Sequence, residues 1–431
     1  MAQEPRAAAE ERPEESLPIH LSDMELLELV QRQTFRYFWD FAHPVSGLAR
    51  DRSNGLGGTA NHVITIGGSG FGIMAIIVGV ERKWIARAAA VDHLLKIVSF
   101  LAAADTYHGI FPHFLHGETG KTIPLLGPND DGADIVETSL LVAGLLCARQ
   151  YFDRADPKET DLRSRIDLLW HAAEWDWHTR GGRNVLYWHW SPTSGWSMNH
   201  PIRGWNECLI TYVMAASASR HAINPEVYHL GWAQGPNFRN GGTYYGIKLP
   251  LGPAYGGPLF FAHYSFLGLD PRNLEDQYAN YWEQNVSHTL INREHCIRNP
   301  NGFKGYGADC WGLTASDSYN GYSAHSPKND LGVISPTAAL SSIPYTPELS
   351  MRALRHFYTA HGERLWGEFG FKDAFSETAD WYAEGHLAID QGPIVCMIEN
   401  FRTGLLWKLF MSCPEVKAGL RKLGFGSPYV A

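Results

Sequence analysis

The sequence predicts an all-α protein: a toroid of inner and outer helices, walled at one end by long loops. Three observations carry this reading. Ten to a dozen segments repeat their apolar residues every three or four positions, the signature of a half-buried helix. Short and long loops alternate between them. Beyond residue 20, no internal repeat, low-complexity linker or shift in composition divides the chain.

Leu26, Leu27, Val30, Phe35, Phe38 and Trp39 share one face of a first helix that Ser22 or Asp23 can cap. It must end near His43-Pro44, because a residue before proline is pushed out of helical geometry. The same spacing predicts helices over about 70–87, 91–104, 133–152, 160–177, 204–222, 257–268, 273–293, 347–362 and 393–411, with shorter ones near 336–342 and 374–387. The loops at 44–68, 105–132, 178–203, 223–256 and 295–335 are longer than connection alone requires, and such loops tend to carry function. VLYWHW (185–190) and GIFPHFLH (109–116) read as β-hairpin-like runs. Residues 1–20, charged and rich in Pro and Ala, are expected to form a disordered lead-in, with 21–431 as one domain. Helix pairs joined alternately by short and long loops close into a toroid whose pocket lies at the inner-helix N-termini. A plain helical bundle satisfies the same periodicity.

Composition narrows the function. Of 431 residues, 45% are hydrophobic and 19% charged, against about 25% charged in an average globular protein. The net charge of −9 is spread along the chain without a Lys/Arg block, which argues against a nucleic-acid partner. The longest apolar run, GIMAIIVGV at 72–80, stops at Glu81, Arg82 and Lys83, well short of the roughly 20 residues that span a bilayer. No apolar signal core is visible at the N-terminus. The six cysteines contain no C-x-x-C pair and read as small buried hydrophobes, with no disulfide and no metal site expected.

NDDGADIVETSLL at 129–141 places Asp130, Asp131, Asp134 and Glu137 at the mouth of an apolar, buried helix. Capping and the helix dipole account for one or two acids, each stabilising by about 0.3–1 kcal/mol. Four like charges on one turn repel one another. Glycosidic bond cleavage uses such a combination: a carboxylic acid of raised pKa protonates the leaving oxygen while a second carboxylate activates water or attacks the sugar. RGWNECLITYVMAAS adds Glu207, read as one turn into an apolar helix, with Trp205 and Asn206 beside it. An apolar neighbour would lift its pKa and suit a general acid. Asp390 and Gln391 precede Gly392-Pro393 and fit the cap of a helix with proline at its first position. Glu399, with Asn400 and Arg402, reads as part of a buried polar network.

Many aromatics lie in loops among Asn, Ser, His and Asp. Trp188 and Trp196 of WHWSPTSGWSMNH, and Tyr306, Trp311 and Tyr322 of GYGADCWGLTASDSYNGYSAH, suit stacking on sugar rings. Other motifs weaken. GFGIMA at 70–75 matches a dinucleotide fingerprint, but no βαβ pattern follows. His108, His113 and His116 match no common metal spacing, and no G-x-S-x-G elbow is present.

The blocks at 307–354, LWGEFGFKDAF at 365–375 and IDQGPIVCMIENFRTGLLWKLFM at 389–411, with NDDGADIVETSLL and GWNECLITY, resemble the bacterial glycoamylase-like family, in particular the endo-β-1,2-glucanases of glycoside hydrolase family 144. The resemblance runs from about residue 22 to the C-terminus. It implies a single (α/α)6 barrel, a metal-independent site without cofactor, and hydrolysis of β-1,2-glucan with inversion, by endo action or by release of sophorose. It also implies that Asp130, Asp134, Glu137 and Glu207 are the acids of the cleft, with Glu207 as general acid and Asp134 or Asp390 as base. Inversion sets the acid and base carboxyls about 6.5–9.5 Å apart. Members are usually exported, so a periplasmic or secreted monomer is expected. The competing readings are a non-catalytic glucan-binding protein and another carbohydrate-active enzyme on the same barrel.

Overall fold

A computed structural model describes residues 20–55 and 57–430, so the expected lead-in lies outside the described residues apart from His20. The helices are α1 (Asp23–Trp39), α2 (Ile66–Glu81), α3 (Arg87–Leu101), α4 (Ile135–Tyr151), α5 (Pro157–Ala172), α6 (Leu209–Ser217), α7 (Tyr281–Arg298), α8 (Pro336–Leu340), α9 (Pro347–Ala360), α10 (Gly362–Leu365), α11 (Ala388–Thr403), α12 (Leu405–Ser412) and α13 (Pro414–Lys422).

Sequence character sorts them into two layers. α2, α4, α6 and α11 are apolar on nearly every side and almost wholly buried. α1 and α9 bury one stripe only, as outer helices must. Inside, α2 packs on α4 and α11, α4 on α6, and α11 on α8. The 3-10 turns Leu259–Ala262 and Tyr264–Leu267 fill the sixth inner position between α6 and α8, where His263 meets Ser342 at 2.9 Å. Outside, α1, α3, α5, α7 and α9 cover this ring, and the C-terminal α13 returns to cover α6. The fold is an (α/α)6 barrel, and the bundle alternative falls.

The glycines of GFGIMA serve close packing. A Cβ on Gly70 would stand 2.3 Å from the Leu140 carbonyl oxygen, and one on Gly144 would stand 2.2 Å from the Gly70 carbonyl oxygen. Only glycines let the backbones of α2 and α4 approach this closely.

Several boundaries differ from expectation. α1 carries a full capping box, with Ser22 and Glu25 bonding each other's backbone. Residues 257–268 form two 3-10 turns, and the amides of Leu259 and Phe260 bond Leu313 and Thr314. Residues 374–387 hold an antiparallel pair, Phe375–Ser376 with Trp381–Tyr382, and no helix. The two hairpin-like runs are single strands that pair with helix entries: Phe114–His116 with Val63–Thr65, and His189–Trp190 with Ala133–Asp134. These short ladders brace the inner-helix N-termini, where the acidic residues gather. No described helix is long and apolar enough to cross a membrane. All six cysteines are buried and unbridged.

Candidate active site

Asp134 is the N-cap of α4 and fully buried. Its Oδ1 accepts the amides of Val136 and Glu137 at 3.0 and 2.9 Å, and its Oδ2 accepts Trp188 Nε1 at 3.1 Å. The Asp134–His189 strand pairing brings Trp188 and His189 alongside. Burial pushes the Asp134 carboxyl up to about 7, against the opposing pull of His113, whose Nδ1 stands 3.5 Å from Oδ2. Capping and site-building are therefore done by different oxygens of one side chain.

Glu137, in the first turn of α4, turns back toward α2 and accepts the Gly67 amide at 2.7 Å. Burial pushes its carboxyl up to about 7 as well. Asp130 is buried, with its Oδ1 lacking a hydrogen-bond partner and 3.7 Å from His189 Nδ1; burial raises its pKa too. Burial holds His189 down near 4 and so neutral.

Glu207 lies in a turn just before α6, two residues short of the helix start, and not one turn inside it as the sequence suggested. The turn is fixed by Asn206, whose side chain accepts the Cys208 amide at 2.9 Å, and by Ser265, whose hydroxyl donates to the Glu207 carbonyl. α6 is tied to α4 by Thr211 and Ser139, hydroxyl to hydroxyl at 2.8 Å. Glu207 is half-buried, yet surrounding protein pushes its carboxyl up to about 7, and the charges of Glu137 and Asp134 add to the rise.

A second acidic group faces the first. Asp390 is buried within the first turn of α11, which begins at Ala388 and contains Pro393; it is not the cap of a helix starting at that proline. Both its oxygens lack a donor. Burial and the adjacent Asp373 raise its pKa well above the carboxylate range. Asp373 is pushed up to about 7 by burial and by Asp317, although the Asp317 amide donates to it at 2.6 Å. Arg52 bridges Asp51 and Asp317, each at 3.2 Å. Asp51 raises the pKa of both Glu137 and Asp390, and buried Tyr264 feels Asp390, Glu207 and Glu137 together. The acids of α4, α11 and the α6 entry thus act on one another and on Tyr264 at the inner-helix N-termini.

His113, Asp130 and Asp134 offer donor atoms within 4.8 Å of one another. Both Asp134 oxygens already accept N–H groups, so this set is a hydrogen-bonded carboxyl network and not an open cation cradle.

Known proteins share this arrangement of chain and fold. Residues 199–414 match the Glycoamylase family model, "Putative glucoamylase", and a crystal structure under that name from Bacteroides uniformis is 60% identical, covering 96% of this chain and all of its own, with a TM-score of 0.93. The endo-β-1,2-glucanase of Chitinophaga pinensis, solved with sophorotriose and glucose, is 56% identical, covering 95% of this chain and 100% of its own, at a TM-score of 0.92. The chain belongs to the glycoamylase family. A curated relative, the exo-β-1,2-glucooligosaccharide sophorohydrolase (non-reducing end) of Parabacteroides distasonis, is 48% identical over 423 residues, 94% of this chain. The chain spans 58% of that relative's length.

Within this glycoamylase-family chain, the expected sugar-binding residues divide. Trp188 is half-buried beside Asp134 and stacks on His200 with ring centroids 5.1 Å apart. Tyr322 is 54% exposed, and surrounding protein together with Asp390, Asp373, Asp51 and Asp317 raises its pKa, which sets it beside the second acidic group. Tyr306 is half-buried and donates to Asp330 at 2.7 Å. Trp196 packs on Trp177 and Tyr187 in the 178–203 loop.

Three expectations fail. Trp205 is 3% exposed and stacks on Tyr281, so it anchors the turn carrying Glu207 and offers no face to a sugar. Trp311 is core, with no exposed surface. Gln391 is buried and donates to the Phe369 carbonyl at 2.7 Å. Arg402 pairs with Glu28, leaving Arg82, Gln31 and Thr403 to hold Glu399. Asp51, Asp317, Asp373 and Tyr264 escaped the sequence reading. Each acid stands singly in a mixed stretch, Tyr264 is one aromatic among several, and no spacing signal links them.

Proposed function

We propose that this chain is a glycoside hydrolase that cleaves β-1,2-linked glucan with inversion, Glu207 acting as general acid and residues 21–431 as one catalytic unit. The observation that carries the reading is Glu207 itself. A carboxyl pushed up to about 7 at the mouth of an inner helix, in the field of Glu137 and Asp134, is protonated often enough at neutral pH to donate to a leaving oxygen. The substrate follows the endo-β-1,2-glucanase and sophorohydrolase relatives.

Of the two base candidates, Asp134 is favoured. Its three N–H donors oppose the effect of burial and leave its carboxyl at about 7, whereas Asp390, which accepts no donor, is raised well above the carboxylate range. Glu137 and Asp130 would hold sugar hydroxyls, with Trp188 and Tyr322 supplying ring contacts. A monomer is expected, and a polymeric glucan substrate suits a periplasmic or secreted enzyme.

The test is incubation with linear β-1,2-glucan, with products resolved by chromatography over time and their anomers by NMR. A ladder of lengths marks endo cleavage and sophorose alone marks exo cleavage; α-anomers released first mark inversion. Retained binding without any product would overturn the hydrolase reading in favour of a glucan-binding protein.

A further inference from the structure

We propose that Cys310, His356 and His361 form a binding site for a thiophilic divalent cation of the zinc type, with Glu377 as fourth ligand, stapling the 299–335 loop to the α9–α10 corner. The three residues offer one sulfur and two imidazole nitrogens, all within 4.8 Å of one another. Tetrahedral zinc, with bonds of about 2.0–2.3 Å, sets its ligand atoms roughly 3.3–3.8 Å apart. Small side-chain rotations close the difference.

Two of the three residues present a ring nitrogen without a hydrogen-bond partner. His361 is 8% exposed and its Nε2 has no hydrogen-bond partner; His356 Nε2 is likewise buried and unpartnered. Orphaned buried polar atoms are uncommon in native proteins and call for a partner such as an ion. Cys310 is 3% exposed among them. Glu377 Oε1 stands 3.3 Å from His361 Nε2. Its place is open only because residue 305 is glycine, since a Cβ there would lie 1.9 Å from that oxygen.

The surroundings orient the ligands. Tyr382 Oη meets His361 Nδ1 at 2.9 Å, fixing the ring through the nitrogen that does not face the cluster, as partners of metal-bound histidines do. Arg352, one turn before His356 on α9, pairs with Asp309 and holds Cys310 against that helix. His356 and His361 have four residues between them, within the usual range for a zinc pair. Binding converts Cys–SH and the cation to a metal thiolate and a released proton. Affinity should therefore fall as pH falls.

The experiment uses the full chain, stripped with chelator, reloaded with zinc or cobalt and desalted. Elemental analysis should find one zinc per chain, lost in both Cys310→Ser and His361→Ala. The cobalt form should show a thiolate-to-metal charge-transfer band, which distinguishes this cluster from any carboxylate or histidine site. The band on the wild-type chain stands even if a variant misfolds. No retained zinc, a cobalt spectrum without that band, or undiminished zinc in folded Cys310→Ser would overturn the proposal.

Discussion

Glu137 on α4 accepts the backbone amide of Gly67 on α2 at 2.7 Å, so one bond fixes both a candidate site carboxyl and the approach of two inner helices. A Cβ at residue 67 would lie 2.6 Å from Glu137 Oε2 and 2.9 Å from Leu140 Cδ1. Gly67→Ala should therefore displace the carboxyl while alanine's better helix propensity offsets part of the strain. The expected result is a fall in turnover of about 100-fold, the cost of a misplacement near 1 Å, with circular dichroism unchanged. Kinetics on β-1,2-glucan alongside a thermal melt check it.

The raised carboxyls predict a stability profile. Asp134, Glu137 and Asp373 have folded values near 7, above their unfolded values near 4. Between these limits the folded state holds more protons than the unfolded state, so stability falls as pH rises from about 4 through 7. Buried histidines such as His178, His189 and His288, held down near 4, contribute the opposite slope, so the carboxyl contribution is read by difference: the melting temperature at pH 5 minus that at pH 8 should be smaller in Asp373→Asn than in wild type. An unchanged difference would mean that Asp373 stays ionised in the fold.

Asp373 raises the pKa of Asp390 while Arg52 pulls Asp373 the other way, so Asp390→Asn should remove the like-charge repulsion that Arg52 leaves. The variant is expected to melt higher than wild type at pH 8, with a smaller gain at pH 5, where a proton already relieves the pair. Its turnover should fall, as is common where a site is built at the expense of stability. Paired melts at the two pH values measure the first effect, and initial rates the second.

Much of the barrel was legible because inner and outer helices differ in how many faces are apolar. α4 and α9 lie close to where periodicity puts them. The misses have local causes. Gly404, in the left-handed region at φ +67°, splits 393–411 into two helices within a continuous apolar pattern. Asn280 caps α7 from inside a run that already looked helical. Asp380, also left-handed at φ +48°, turns 374–387 into a strand pair. In the site, Asp130, Asp134, Glu137 and Glu207 announced themselves as charges beside apolar helices. Asp51, Asp317 and Asp373 did not, because a single acid in a polar loop looks the same whether it faces solvent or a cleft.

Away from the site, Glu399 is fully buried and bound in a fork by Arg82 at 2.7 and 3.0 Å, joining α11 to α2. Arg82→Ala leaves that carboxylate without its counter-charge. The loss should be about 3–5 kcal/mol in urea unfolding. Glu399→Gln keeps the shape but puts an amide donor where one arm of the Arg82 fork needs an acceptor, so it should also lower stability.

The most direct test of the account is the rate of Glu207→Gln on linear β-1,2-glucan across pH. The wild type should lose activity as pH rises through about 7, where its acid deprotonates. The variant should be folded, bind glucan and turn over at least about 100-fold more slowly, with that alkaline limb gone. A folded Glu207→Gln protein with near-normal rate and an unchanged profile would contradict Glu207 as the proton donor.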